Sequence, residues 1–270
     1  MKKERTPENS RKTEPDAFEM DAINLMVHLL SKDMDPETLT ETIEYLNKLS
    51  LHYTQAVEKI ENLQDTVNYD PRTGLFRYNE LYFENIFKNI SRIFSSYQTP
   101  NGSDRYQLSY IRFDIDDFSL FNNRYGHEIG DQVLRKVGEA LKETARPTDY
   151  TIRYGGEELD VILTTTPIPG AITFLEKIYK RFHELRIDTG KELVKVTLSA
   201  GVSHIALPYQ DIIHMNKDAT ESLNHLVQRE ADHALYEAKL LGKDRWCLYD
   251  KARAGEYDRI RADYVARRNR

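Results

Sequence analysis

One cysteine in 270 residues, Cys247, excludes an internal disulfide and a thiolate zinc site, and it fits a reducing compartment. No apolar run approaches the ~20 residues of a membrane span, and the stretch Ile23 to Leu30 is far too short. The opening Met1-Lys2-Lys3-Glu4-Arg5 runs into polar residues rather than the apolar core of a signal peptide. Neither sign of charge dominates: 38 Lys and Arg face 44 Asp and Glu, so no global field argues for nucleic acid or a membrane surface. These absences predict a soluble cytoplasmic protein with no nucleic-acid or membrane partner. The length allows one sizeable domain and an appendage.

Residues 1–16 are charged and nearly devoid of apolar side chains, too little to bury for ordering, and predict a disordered tail. Residues 17–68 predict a helical dimerisation segment. Phe18, Ala22, Met26 and Leu29 recur at helical spacing up to Lys32, and Asp33-Met34-Asp35-Pro36-Glu37 offers a cap, a proline near the first turn and an early acid for a second helix. Along that helix Leu46, Leu49, Tyr53, Ala56, Ile60, Leu63 and Val67 follow alternating steps of three and four, the seam of a coiled coil. The alternative is an amphipathic helix lying on the chain's own globular part. With Phe18 to Lys32 as a second arm, two such hairpins would join as a four-helix bundle.

Downstream the patterning predicts a helix at 77–97, a strand at 107–115, a helix at 126–144, strands at 151–154 and 158–164, a helix at 169–185, a strand at 194–204, a helix at 221–241 and a strand at 245–249. Alternation of this kind, with a hairpin at two glycines, predicts an α/β sandwich around one sheet. From Lys251 onward the charges alternate, with a basic excess at Arg267, Arg268 and Arg270, and residues 251–270 read as a charged, solvated helical tail.

The chemistry concentrates in Arg153-Tyr154-Gly155-Gly156-Glu157-Glu158-Leu159, a tight turn carrying adjacent carboxylates, and in the strand end Phe113-Asp114-Ile115-Asp116. If the two strands pair, Asp114 and Glu157 face one another across a small gap. Such a site suits hard divalent cations, which take oxygen ligands; Mg²⁺ typically uses one or two carboxylates plus substrate phosphates. Gly155 and Gly156 permit the turn and leave room for a ligand to approach the backbone.

With Asn122-Asn123-Arg124-Tyr125-Gly126-His127-Glu128-Ile129-Gly130-Asp131 and Ala231-Asp232-His233-Ala234-Leu235-Tyr236-Glu237-Ala238-Lys239, these motifs resemble a GGDEF-domain diguanylate cyclase over residues 69–250, in order and spacing. The resemblance implies a ferredoxin-like βαββαβ core with extensions, akin to nucleotidyl cyclase catalytic domains. It implies condensation of two GTP into cyclic di-GMP and two pyrophosphates by a homodimer. Asp114, the Ile115 carbonyl, Glu157 and Glu158 match its metal-site and catalytic positions, for Mg²⁺ with Mn²⁺ as a substitute. The backbone of Asp117 and Phe118 matches its phosphate loop, and Lys239 and Lys243, read as one helical turn apart, match its phosphate cations.

Asn122 and Asp131 match the guanine-reading pair: a carboxylate accepts from guanine N1–H and N2, whereas adenine N1 carries no proton. Arg146-Pro147-Thr148-Asp149 matches the RxxD product-inhibition site, with Lys177 near a further cation; a capped helix end is the plainer alternative there. The chain departs from the pattern at Arg72, Ser119, Leu159 and Lys243. Ser119 and Lys243 support an alternative reading, a module that binds cyclic di-GMP or GTP as a scaffold without turnover.

Overall fold

The structure, a computed structural model, describes residues 35–96 and 105–268. The tail expected at 1–16 and the helix expected at Phe18 to Lys32 lie outside these residues. So do the side chains of Ala56, Ile60, Leu63 and Val67, and those of Arg268 and Arg270. The chain divides into two compact units after Thr66.

In the first unit the helix α1 (Pro36–Asn68) starts where the sequence indicates. The Asp35 carboxylate accepts from Glu37 N at 3.1 Å, from Thr38 N at 3.1 Å and from the Thr38 hydroxyl at 2.6 Å, while Pro36 opens the helix with no N–H to satisfy. Tyr45, Leu49 and Tyr53 are exposed along it, so this unit leaves part of the predicted seam uncovered.

The second unit is built on one six-stranded sheet in the order β1-β3-β4-β2-β7-β8. Its strands are β1 (Phe76–Arg77), β2 (Arg105–Ile115), β3 (Tyr150–Gly155), β4 (Glu158–Leu163), β7 (Leu198–Pro208) and β8 (Trp246–Leu248), and the short β5 (Ile187–Asp188) and β6 (Leu193–Val194) form a separate hairpin. The helices are α2 (Leu81–Ser96), α3 (Phe118–Tyr125), α4 (His127–Thr144), α5 (Ile168–Glu184), α6 (Tyr209–Ile213), α7 (Lys217–Leu240) and α8 (Tyr257–Arg268). β2, β3, β4 and β7 with the helices between them form the predicted βαββαβ core. Within it β2 is antiparallel to both β4 and β7, and the outer β1 and β8 add parallel pairs.

The alternation of strand side chains sorts the sheet into two faces. Ile111, Phe113 and Ile115 of β2 and Leu159, Val161 and Leu163 of β4 face Val133 and Val137 of α4 and Phe174 and Ile178 of α5 in an apolar layer. Leu159, a departure from the family turn, is fully buried there. Tyr110, Arg112 and Asp114 share the other face with Glu158, Asp160 and Ile162; Tyr110 and Ile162 pack with Val227 and Ala231 of α7 and Phe83, Ile86 and Phe87 of α2.

Several boundaries move. The strand expected at 194–204 runs from Leu198 to Pro208, because Val194 is taken by the β5–β6 hairpin. A helix at Phe118–Tyr125 precedes the one expected at 126–144. The expectation of a solvated tail needs correction. Residues 251–256 form a 3₁₀ turn and α8 packs on α7, because Tyr257 has no exposed surface and its ring stacks on Tyr249 at 4.6 Å and on His233 at 5.5 Å.

Candidate active site

β2 delivers Asp114 to the middle of the sheet's edge, in register with Glu158 on β4 and Ser199 on β7. Ile115 N donates to Glu157 O at 3.3 Å, which closes the turn against the strand end. The turn itself needs glycine at Gly156, where φ is +50°, and open space surrounds both Gly155 and Gly156. Arg153 fastens it from behind, donating to Gly156 O at 2.8 Å and to the Asp70 carboxylate at 2.8 Å. Asp70 also accepts from Thr73 N and the Thr73 hydroxyl, each at 2.9 Å, so the wide entry turn forms despite arginine at position 72.

A cavity of about 480 Å³ opens beside this edge, walled by Asp114, Ile115, Asp117, Phe118, Glu157, Lys239 and Lys243 among others. Seven of the sequence-predicted site residues thus meet in one hollow. The Asp114 carboxylate lies 2.7 Å from Lys239 Nζ, both nearly buried. Burial raises the Asp114 pKa, with Glu157 and Asp116 adding to it and Lys239 opposing. Burial works against the Lys239 ammonium, but the Asp114 carboxylate more than offsets it and holds the lysine charged.

Lys243 is not on the helix as expected. α7 ends at Leu240, and Lys243 adopts a left-handed conformation, φ +61°, from which its ammonium reaches the Asp117 carboxylate at 2.6 Å. The same turn presents Asp244 N to Asp116 at 3.1 Å. Asp116 accepts in addition from the Thr197 and Ser199 hydroxyls at 2.7 Å each, so this acid ties the strand end to its neighbours. Asp117, φ +54°, stands at the N-cap position of α3 without a side-chain hydrogen bond to the helix, whose first-turn N–H groups begin at Phe118 in the cavity wall.

Among the described residues no three His, Cys, Asp or Glu side chains converge on a single point that would hold a metal ion. Asp114, Glu157 and the Ile115 carbonyl nonetheless put hard oxygen donors in one wall, a set that fits Mg²⁺ with its phosphate and water ligands. Glu158 is outside that wall. Its carboxyl pKa is raised by burial, with Asp114 and Asp232 adding and Arg112 opposing.

The expected base readers sit apart from the cavity. Asn122 Oδ1 is buried with no hydrogen-bond partner, and a Cβ added to Gly130 would lie 1.8 Å from it, so Asn122 abuts the residue before Asp131. Asp131 is half-exposed, 3.4 Å from Arg72 Nε. Arg146 is exposed, but the Asp149 carboxylate already accepts from Arg146 N at 2.9 Å and from Thr164 N at 3.0 Å, pinning the α4–β3 loop to β4. Lys177 is exposed on α5 without a polar partner among the described residues.

The family described as "Diguanylate cyclase, GGDEF domain" matches residues 67–245. The chain belongs to the GGDEF family. Similar proteins include the uncharacterized protein YhcK of Bacillus subtilis, 34% identical over 74% of this chain and 50% of that protein. Diguanylate cyclase A of Treponema denticola is 38% identical over 55% of this chain and 37% of that one, and a Vibrio cholerae diguanylate cyclase is 30% identical over 74% and 56%. The chain therefore spans about half the length of the curated relatives it matches. Among solved structures, the coiled coil and GGDEF domain of DgcB from Caulobacter crescentus, in complex with c-di-GMP, superposes with a TM-score of 0.60 at 22% identity, over 76% of this chain and 97% of that one. That likeness establishes the GGDEF fold.

Three features of this GGDEF domain were missed in the sequence. Arg112 and Asp160 form a buried bidentate pair at 2.9 Å for both contacts, with the Tyr110 hydroxyl also on Asp160; a lone arginine in an apolar strand was the available signal. Arg72 turns towards Asp131. Tyr264 and Arg267 stand in the cavity wall, announced only by Tyr257, Ile260 and Tyr264 at helical spacing in a segment dominated by charge.

Proposed function

We propose that this protein is a diguanylate cyclase, joining two GTP into cyclic di-GMP with release of two pyrophosphates. The reading is carried by one observation: the strand-end carboxylate of Asp114, the turn carboxylate of Glu157, two lysines and the start of α3 share a single cavity. Relatives named diguanylate cyclase support it.

Asp114, Glu157 and the Ile115 carbonyl would hold Mg²⁺, which when bound supplies charge neutralisation and a more acidic ribose hydroxyl. Lys239 and Lys243 then bind phosphate oxygens, and the N–H groups opening α3 receive others. The Asp131 carboxylate, with Asn122 beside it, accepts from the guanine edge; adenine would leave it unpaired at a cost of ~1–3 kcal/mol. In the displacement each ribose 3′-oxygen bonds to the α-phosphorus of the other nucleotide while pyrophosphate departs. Because each domain holds one GTP, two chains meet about a two-fold axis, and pairing of α1 through Leu49 and Tyr53 raises their effective concentration. In the same reading Arg146, with Asp149 and Lys177, forms the product-binding site that limits synthesis.

A second reading, a binding module without turnover, is favoured by the Lys239 ammonium resting on Asp114, where it competes with a metal ion. Incubation with GTP and Mg²⁺, followed by chromatography for cyclic di-GMP, separates the two. Product formation is expected, and its absence at high protein concentration sinks the cyclase reading.

A further inference from the structure

We propose that α8 completes the nucleotide site and that Arg267 is a phosphate-binding residue. The inference rests on the GTP-binding reading above, but it concerns a segment beyond the 67–245 that the family matches.

The placement of α8 is set by packing that owes nothing to a ligand. After β8, Asp250 accepts from Ala252 N at 2.9 Å and its own N–H donates to the Tyr257 hydroxyl at 3.0 Å, which turns the chain back along α7. Arg253 bonds Glu237 at 2.8 Å, Tyr257 fills a buried slot against His233 and Tyr249, and Tyr264 packs on Tyr236 at 5.1 Å. The 3₁₀ turn and two points of α8, two helical turns apart, are thereby fixed. That anchoring places Tyr264 and Arg267 in the wall of the cavity with Asp114, Glu157, Lys239 and Lys243. The Tyr264 ring lies 5.5 Å from Lys239 Nζ, so the helix reaches the ammonium that sits on Asp114.

Charge pairing in the cavity leaves Arg267 distinct. Lys239 is matched with Asp114 and Lys243 with Asp117, whereas Arg267 has no hydrogen-bond or ion-pair partner among the described residues. Ser119 adds no charge to the same wall. A guanidinium that faces a cavity without a carboxylate on it is available to an incoming anion, and its planar fork takes two phosphate oxygens at once. The chemistry it fits is the terminal phosphates of a nucleoside triphosphate.

The test uses the full chain and Arg267→Gln, with Arg267→Lys as the charge-keeping variant. Binding of inorganic triphosphate with Mg²⁺ is measured by calorimetry, and KM and kcat for GTP are measured alongside. Arg267→Gln is expected to weaken triphosphate binding about tenfold and to raise KM similarly, with the melting temperature unchanged; Arg267→Lys recovers part of the loss. Unaltered triphosphate affinity and KM in Arg267→Gln overturn the inference, as does tighter binding, which would show the helix obstructing the cavity. A wild type that binds triphosphate more tightly than Arg267→Gln yet makes no cyclic di-GMP upholds the inference and sinks the cyclase reading. A wild type that binds neither GTP nor triphosphate overturns both.

Discussion

The two faces of β2 and β4 are made of the same strands, yet one is packed with apolar side chains and the other carries a row of charged ones. On the α4–α5 side the inward positions are Ile, Phe, Leu and Val apart from Ser109, whose buried hydroxyl donates to Thr166 O at 2.9 Å. On the α7 side Arg112–Asp160 and Asp114–Glu158 form two neighbouring cross-strand pairs, roofed by a helix that supplies Lys239 and Asp232. Buried charge is tolerated only when it is paired. The Arg112–Asp160 pair is therefore complete and static, while the Asp114–Lys239 pair, at the open end, can exchange partners with a ligand. Graded access to the cavity turns one row of polar side chains into a brace at one end and a site at the other.

Breaking the open end has the largest expected effect. Asp114→Asn should lower synthesis of cyclic di-GMP by ~10³-fold or more, several kcal/mol in the barrier, while a cooperative unfolding transition remains. Near-normal turnover would place the chemistry elsewhere.

Breaking the closed end acts on stability instead. Asp160→Ala strands the Arg112 guanidinium beneath α7 and should cost about 3–5 kcal/mol in denaturant unfolding. The double change Arg112→Met with Asp160→Leu should recover most of it, since two apolar groups leave no unpaired charge. A double variant as unstable as Asp160→Ala would show that the pair is needed for more than mutual neutralisation.

On the apolar face, Ile111→Val removes one methylene and should cost about 0.5–1.5 kcal/mol with kcat and KM unchanged. A change in KM would mean that the faces are coupled.

The smallest effect concerns pH. Burial lowers the His233 pKa from the ordinary 6.5, helped by Arg229 and Arg261 and opposed by Asp232 and Asp258. The unfolded chain therefore takes up the proton first as pH falls, and stability is full above about 6.5 and declines below it. Replacing His233 with Phe should keep the stacking on Tyr257 and flatten the thermal stability profile between pH 7 and pH 5. An unchanged slope would assign the decline to other groups.

Much of the site was legible because its motifs are local. Asp114 and Glu157 stand at strand ends next to a glycine turn, and Asp35-Pro36-Glu37 announces a helix start within three residues. Lys243 was misplaced because Leu241 and Gly242 end α7 before it, and the left-handed turn that carries its ammonium to Asp117 is held by contacts 126 residues away. The hydrogen bond from Thr164 N to the Asp149 carboxylate, across a strand pair, was equally beyond a local reading.

The sequence by itself determined that Asp114 and Glu157 meet beside a glycine turn, the βαββαβ order and the place where the first described helix begins, because capping, alternation and glycine turns act over a few residues. Tertiary structure alone decided that Arg112 finds Asp160, that Lys239 rests on Asp114, and that a charged C-terminal segment folds back to set Arg267 in the cavity. Those outcomes depend on which distant surfaces must bury their rings and satisfy their charges together, and no local pattern encodes that choice.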